Sequence, residues 1–156
     1  MQFVNSAASM GEYLASGILG RFPNLKLYYA ESQVGWIPYI LDRLDDAWET
    51  YPFRHADRDP REIPSSFYWN RVYSCMFKDR VGTRLLDLIG EDQVMFESDY
   101  PHGDGTWPHT PERARTVLCD LPQEVQYKIL RGNAIRLLGL NLDVDLVGDS
   151  PRSSNG

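Results

Sequence analysis

Two carboxylates and an imidazole follow a short apolar run in the second half of the chain. The run, Val94 to Phe96, has the composition of a buried strand, and Glu97, Asp99 and His102 come directly after it together with a proline and several glycines. Folds that alternate strands and helices present reactive groups at the carboxyl ends of their strands. This pattern marks Asp99 as the first candidate for chemistry. An acidic residue after a strand is also a common turn former, and the segment matches no general catalytic motif, so both interpretations stay open.

Composition restricts the classes of function. The 156 residues are 42% hydrophobic and 12% aromatic, which predicts one globular domain with a real core. A net charge of −6 argues against nucleic acid as the main partner. The two cysteines form neither a disulfide framework nor a C-x-x-C motif. No signal peptide and no run of ~18 apolar residues is visible, so we expect a soluble cytoplasmic protein without a membrane partner.

The elements that must position these groups alternate along the chain. Strands are predicted at 25–30, 72–77 and 94–96, and helices at 6–21, 35–51, 81–89, 111–119 and 122–138. Such alternation indicates right-handed β-α-β units and a parallel sheet. A sheet of three strands has two open edges, which is a hazard for a protein in water. The pattern therefore indicates that part of the sheet is missing.

The proline-rich segment 52–66 is interpreted as a long loop, either a lid over a site or a mobile excursion. Residues 1–140 are predicted to form the domain, and 141–156, which ends in small polar residues, a disordered tail.

Several segments together resemble the amidohydrolase superfamily, specifically its decarboxylase-like branch, which includes aminocarboxymuconate-semialdehyde decarboxylase. The resemblance extends from Ser6 to Leu140. The segments that carry it are Arg21-Phe22-Pro23-Asn24-Leu25-Lys26-Leu27, Ala30-Glu31-Ser32, Gly35-Trp36-Ile37-Pro38-Tyr39, Phe96-Glu97-Ser98-Asp99-Tyr100-Pro101-His102 and Leu130-Arg131-Gly132-Asn133-Ala134.

The resemblance implies an α/β fold that is part of a TIM (β/α)8 barrel, with the three strands as its sixth, seventh and eighth. It implies a metal-dependent hydrolase or non-oxidative decarboxylase that acts on a small carboxylic or cyclic substrate. The chain would supply the carboxyl-terminal part of such a barrel. We therefore expect it to form a homo-oligomer or to associate with a missing amino-terminal half.

The resemblance also assigns site residues. Asp99 matches the aspartate that ends the last strand, where the family binds a divalent metal or activates its water. Glu31 stands at the end of the sixth strand, where many members carry a histidine, and could bind metal or act as a base. His102 would lie near the barrel mouth as a third catalytic residue. Zinc is the first expectation for the metal, with manganese or magnesium as alternatives.

Three further residues are candidates for substrate binding. Trp36 could form the wall of a pocket, although a place in the core is its common role. Trp107, on the loop after Asp99, is the better candidate for a pocket wall. Arg71 could meet a substrate carboxylate, although a salt bridge to an acidic residue is its commoner fate.

Two departures from the family pattern favour an alternative function. The family's His-x-His pair is absent from the chain, whose histidines are His55, His102 and His109. Glu31 and Asp99 alone are fewer ligands than tight zinc binding requires. The alternatives are a catalytically inactive remnant and an interaction module that associates through exposed sheet edges.

Overall fold

The computed structural model describes residues 2–55, 57–59 and 61–142. The predicted tail lies mostly at 143–156, outside the described residues, and the domain boundary at 140 stays a prediction. The strands are β1 (Leu27–Tyr29), β2 (Val72–Met76) and β3 (Val94–Phe96). The helices are α1 (Gln2–Ala15), α2 (Ile18–Arg21), α3 (Ile37–Thr50), α4 (Arg80–Arg84), α5 (Leu86–Ile89), α6 (Thr110–Leu118), α7 (Gln123–Tyr127) and α8 (Asn133–Leu138).

The three strands form one parallel sheet in the order β1-β2-β3. Leu27 pairs with Val72 at the start of β1, and Ser74 pairs with Val94 at the start of β3. Every residue of the central strand β2 is buried, as expected for an apolar strand in a parallel sheet. The parallel three-stranded sheet with flanking helices confirms the predicted architecture.

The two faces of the sheet are covered unequally. On one face, strand residues such as Val72, Met76 and Val94 join a core built with the helices. The helical members of that core include Met10, Leu14, Ile37, Leu41, Ile89, Leu118 and Ile129. The other face, which we call the inner face, carries Tyr28, Tyr73, Cys75, Met95 and Glu97. Among the described residues, the partly buried hydrophobic side chains that pack against its small buried cluster are Ala134 and Leu137 of α8. This face contains a groove of about 390 Å³, lined mainly by apolar side chains.

Two helices that the sequence predicts as continuous are interrupted. The first breaks at Gly17, which has a φ of +75°. A Cβ at this position would lie 2.9 Å from the guanidinium carbon of Arg58, so both the backbone and the space favour glycine. The predicted last helix contains a π-helical turn at Lys128–Gly132. Directly after this turn, the side-chain Nδ2 of Asn133 donates to the backbone carbonyl groups of Glu91 and Val94, each at 2.7 Å.

The described residues of the segment 52–66 contact α1 and α3 and do not cover the carboxyl ends of the strands. Arg58 donates to the carbonyl of Ala15 at 2.6 Å, and the amide of Ser65 donates to Asp45 at 2.9 Å. The ring of His55 stacks on Trp48 with centroids 3.5 Å apart. Because the segment leads from the end of α3 to the start of β2, it belongs to the amino end of the sheet. The interpretation as a lid over the site is wrong. Among the described residues, no helix is long and apolar enough to cross a membrane.

Candidate metal centre

Glu31 and Asp99 lie just beyond the carboxyl ends of the two outer strands. Glu31 follows β1 by two residues and Asp99 follows β3 by three. Both have left-handed backbone conformations, with φ of +56° and +55°. Such values are uncommon for residues other than glycine and concentrate at functional sites. The two turns bring the carboxylates together above the carboxyl end of the sheet.

His102 completes a cluster of three candidate ligands. Its Nδ1 lies 2.7 Å from Asp99 Oδ1 and 3.9 Å from Glu31 Oε1. One ligand atom from each residue lies within 4.8 Å of the other two. The Asp99 side chain is only 5% exposed, whereas that of His102 is 61% exposed. The cluster therefore has a buried side at Asp99 and an open side at His102.

The donor set fits a divalent cation. Glu31 and Asp99 supply two carboxylate ligands of a kind that catalytic zinc sites use, and the imidazole of His102 is hydrogen-bonded to Asp99, as the outer partners of metal ligands are. Carboxylate oxygens also suit manganese and magnesium.

Side chains from β2 and β3 hold the loop that contains Glu31. Glu97 Oε1 accepts the backbone N–H of Glu31 at 2.7 Å. Asp79 Oδ2 accepts the backbone N–H groups of Val34 and Gly35, each at 2.7 Å. Gln33 itself accepts from the backbone N–H of Phe77 at 3.3 Å. These bonds connect the loop after β1 to the segments that follow β2 and β3, and they hold the loop before any ligand binds.

The loop after β3 is folded on itself around Gly105 and Thr106. The amide of Thr106 donates to the carbonyl of Ser98 at 2.8 Å. A Cβ on Gly105 would lie 2.7 Å from that same carbonyl oxygen and 2.8 Å from the carbonyl oxygen of Asp99. Only glycine therefore allows this close return of the chain. The buried Thr106 hydroxyl is 3.0 Å from the hydroxyl of Thr110, the first residue of α6.

Sequence reasoning missed two of these positions. Asp79 is the helix cap of α4, since its Oδ1 accepts from the amide of Gly82 at 2.7 Å. Its second oxygen, Oδ2, accepts hydrogen bonds from Val34 and Gly35, more than forty residues away in the sequence. No local sequence pattern indicates such a contact. Glu97 did have a signal, because it is a carboxylate that directly follows the predicted strand 94–96.

Acidic neighbours and burial shift several pKa values at the site. The hydrogen bond to Asp99, with the nearby Asp99 and Glu31 charges, raises the pKa of His102. Burial raises the pKa of Glu97, opposed by the hydrogen bond from the Glu31 amide. Burial also raises the pKa of Cys75 to about 12. The Cys75 thiol is therefore neutral near pH 7 and is not a poised nucleophile.

The raised pKa of His102 gives a direct pH prediction for the metal-free protein. In an Asp99→Asn variant we expect the pKa of His102 to fall towards 6.5, because the charged hydrogen-bond acceptor is gone. A histidine whose folded pKa is raised adds stability below its unfolded pKa, and loses it as the pH rises through the folded pKa. Titration of the His102 ring protons by NMR measures the shift. An unchanged pKa in the variant would show that Asp99 does not stabilise the imidazolium.

The three predicted substrate-binding residues are placed differently. The indole of Trp36 donates to the carbonyl of Ser32 at 2.8 Å, and its ring packs against the core on the helix-covered face. Trp107 is 66% exposed and packs edge-on against Tyr100, with centroids 5.5 Å apart. This aromatic pair stands on the same loop as His102.

Arg71 lies at the amino end of β2, opposite the Glu31–Asp99–His102 cluster. Its guanidinium donates to three backbone carbonyl groups, those of Leu19, Phe22 and Leu25, at 2.8–3.0 Å. These contacts connect β2 to the segment between α2 and β1. The structure therefore does not bring Arg71 to the site.

The amidohydrolase family model matches residues 6–140, and the chain belongs to the amidohydrolase family. This confirms the family recognised from the sequence. The structure of this chain is similar to the crystal structure of the amidohydrolase map2389c from Mycobacterium avium subsp. paratuberculosis K-10, at 26% identity and a TM-score of 0.76. That match covers 91% of this chain and 35% of the other.

Two decarboxylases share the fold. One is 5-carboxyvanillate decarboxylase LigW from Sphingomonas paucimobilis, at 22% identity and a TM-score of 0.69, covering 88% of this chain and 41% of that one. The other is dihydroxybenzoic acid decarboxylase from Polaromonas sp. JS666 with bound manganese and the inhibitor 2-nitroresorcinol. It is 23% identical with a TM-score of 0.68, covering 94% of this chain and 43% of that one. The chain thus spans less than half the length of each, and its sheet is part of a TIM barrel, as predicted.

Proposed function

We propose that this chain contributes the carboxyl-terminal strands of a divalent-metal-dependent active site that decarboxylates or hydrolyses a small carboxylic or cyclic substrate. The observation that carries the proposal is the convergence of Glu31, Asp99 and His102 at the carboxyl end of a parallel sheet. Active sites of TIM-barrel enzymes lie at that end. Between the two reactions, we favour loss of carbon dioxide, because two of the structures that share the fold are decarboxylases.

In this proposal Glu31 and Asp99 are metal ligands and His102 is their neighbour on the solvent side. The metal supplies Lewis-acid polarisation of substrate oxygens and a more acidic bound water. His102 donates its Nδ1–H to Asp99 and so orients that carboxylate. In the metal-free protein, the hydrogen bond to Asp99 raises the pKa of His102.

Charge at the site also favours a metal. Glu31, Asp99 and Glu97 place three carboxyl groups at one end of the sheet, and each lies near another carboxylate. An anionic substrate would be repelled by this arrangement unless a cation neutralises it. The Tyr100–Trp107 pair supplies an exposed aromatic surface beside His102, which suits a ring-containing substrate.

We also propose that the complete site includes strands beyond the three described here, from another segment or from a second copy. The inner face supports this, since it exposes Tyr28 (51%) beside an apolar groove of about 390 Å³. In a closed barrel this face is filled by side chains of the opposite strands. The same face favours the second candidate function, an inactive interaction module that associates through its sheet.

Metal titration tests the proposal. We expect Mn²⁺, followed by electron paramagnetic resonance, or Zn²⁺, followed by calorimetry, to bind at one site per chain. Glu31→Gln should weaken binding about 10-fold or more, whereas the matched control Asp104→Asn removes the same charge from the neighbouring loop and should bind like the wild type. Carbon dioxide release from a panel of hydroxybenzoates then separates decarboxylation from hydrolysis.

Two results would contradict the enzyme proposal. Absence of stoichiometric metal in the chain, alone and with any co-purifying partner, would favour the inactive remnant. Equal metal affinities for Glu31→Gln and Asp104→Asn would place the metal elsewhere. Solution mass, measured by light scattering, tests the association: a stable monomer would contradict pairing through the inner face.

A further inference from the structure

We infer that Glu97 is a positioning residue, whose carboxylate sets the backbone of Glu31 and thereby aims the Glu31 side chain at the metal site. This inference rests on the proposed function for its consequence, but its structural basis is independent of any metal. Nothing in the family resemblance assigns a role to this position. The hydrogen bond from the Glu31 amide to Glu97 Oε1, at 2.7 Å, carries it.

The first step of the argument is the strain at Glu31. A residue other than glycine at a φ of +56° is disfavoured relative to right-handed conformations, because its Cβ comes close to the following carbonyl oxygen. The chain needs a compensating interaction to hold that conformation. A backbone N–H bonded to an ionised carboxylate is among the stronger hydrogen bonds in proteins. Glu97 supplies that bond at the strained residue itself.

The second step is the rigidity of Glu97. It follows β3 directly, and its own amide donates to the carbonyl of Met76 at 3.2 Å, which continues the ladder between β2 and β3. Its side chain is half-buried on the inner face beside Cys75. Cys75 is in turn hydrogen-bonded to the hydroxyl of Tyr28. The Glu97 carboxylate is therefore held by the sheet, and it in turn holds the loop after β1 through the Glu31 amide.

The third step is the geometry of the ligands. Asp99 is two residues from Glu97 along the same chain, whereas Glu31 is 66 residues away. The contact between Glu97 and Glu31 fixes the distance between the two proposed ligands across the intervening strand β2. Without it, the loop can turn Glu31 away while Asp99 stays in place.

Glu97→Leu and Glu97→Gln separate positioning from charge. Leucine has no acceptor, whereas glutamine keeps an oxygen that can accept the Glu31 N–H without the negative charge. Met95→Leu changes the inner-face residue of β3 that lies two positions before Glu97, and it is the matched control. Hydrogen exchange of the Glu31 amide, followed by NMR, reports the contact directly, and Mn²⁺ affinity reports its consequence.

We expect Glu97→Leu to speed exchange of the Glu31 amide at least about 10-fold and to weaken Mn²⁺ binding by about 10- to 100-fold. In Glu97→Gln, most of the protection of the Glu31 amide and most of the Mn²⁺ affinity should be retained. Met95→Leu should change neither the exchange rate nor the Mn²⁺ affinity. The inference is overturned if Glu97→Leu matches Met95→Leu, or if Glu97→Gln binds metal as weakly as Glu97→Leu.

Measurements on the wild type keep the inference testable if Glu97→Leu does not fold. The Glu31 amide should exchange slowly in the unmodified, metal-free protein, and rapid exchange there would overturn the contact. If the wild type protects this amide but binds no Mn²⁺, the proposed function fails while the positioning contact stands. The two failures are thus distinguishable.

Discussion

Asp99→Asn is expected to abolish metal binding, with a loss of affinity of about 100-fold or more. Even outer partners of metal ligands are worth 10- to 100-fold in affinity, and Asp99 is the least exposed of the three candidate ligands. Asparagine is nearly isosteric with aspartate and adopts the left-handed backbone more readily than alanine does. The asparagine variant therefore removes the charge without straining the turn. Mn²⁺ titration measures the affinity.

The fold of this variant should be intact, because the side chain of Asp99 is bonded to His102 and is not part of the apolar core. We expect the far-UV circular dichroism spectrum of Asp99→Asn, and of the more strained Asp99→Ala, to stay close to that of the wild type, and turnover of any substrate to be lost. Collapse of the spectrum in both variants would instead make Asp99 a structural residue. Retained metal binding in Asp99→Asn would remove it from the proposed ligands.

The sheet was predictable because local sequence patterns indicate its strands. Val72 to Met76 and Val94 to Phe96 are short apolar runs between turn-forming residues, and alternation with helices specifies parallel pairing. The helix interruptions were not predictable in the same way. Gly17 is compatible with a helix interior or an end, and what distinguishes them is Arg58, which reaches back to the carbonyl of Ala15. That contact depends on the tertiary structure.

The candidate site was predictable only in part, for a related reason. The pairing of Glu31 with Asp99 came from the resemblance to the family, since no spacing rule connects residues 68 positions apart. Arg71 was predicted to meet a carboxylate, but the structure surrounds its guanidinium with backbone carbonyl groups at the amino end of β2. The sequence shows which groups are available, whereas strand polarity decides which end of the sheet each group reaches.

A second large effect is expected at Asp79, which holds three backbone amides. Asp79→Ala should lower the free energy of unfolding by about 3–6 kcal/mol, because its two buried hydrogen bonds, from the amides of Val34 and Gly82, are each worth about 1.5–3 kcal/mol and their loss leaves a buried N–H without a partner. The buried amide of Val34 is the clearest such case. The close packing of Val34 against Gly82, where a Cβ would meet the valine side chain at 2.4 Å, leaves little room for a replacing water. Urea unfolding measures the change.

Asp87→Ala is the matched control, because it removes an equal charge from an exposed position on the neighbouring helix α5 and should change stability by less than about 0.5 kcal/mol. The loop held by Asp79 contains Glu31, so loss of the Asp79 hydrogen bonds should also disturb the position of Glu31. We expect the surviving folded fraction of Asp79→Ala to bind Mn²⁺ more weakly than Asp87→Ala does. Equal stabilities of the two variants would show that the Asp79 contacts to Val34, Gly35 and Gly82 are replaced by water. Equal metal affinities would show that Glu31 is held without them, leaving Glu97 as the contact that orients it.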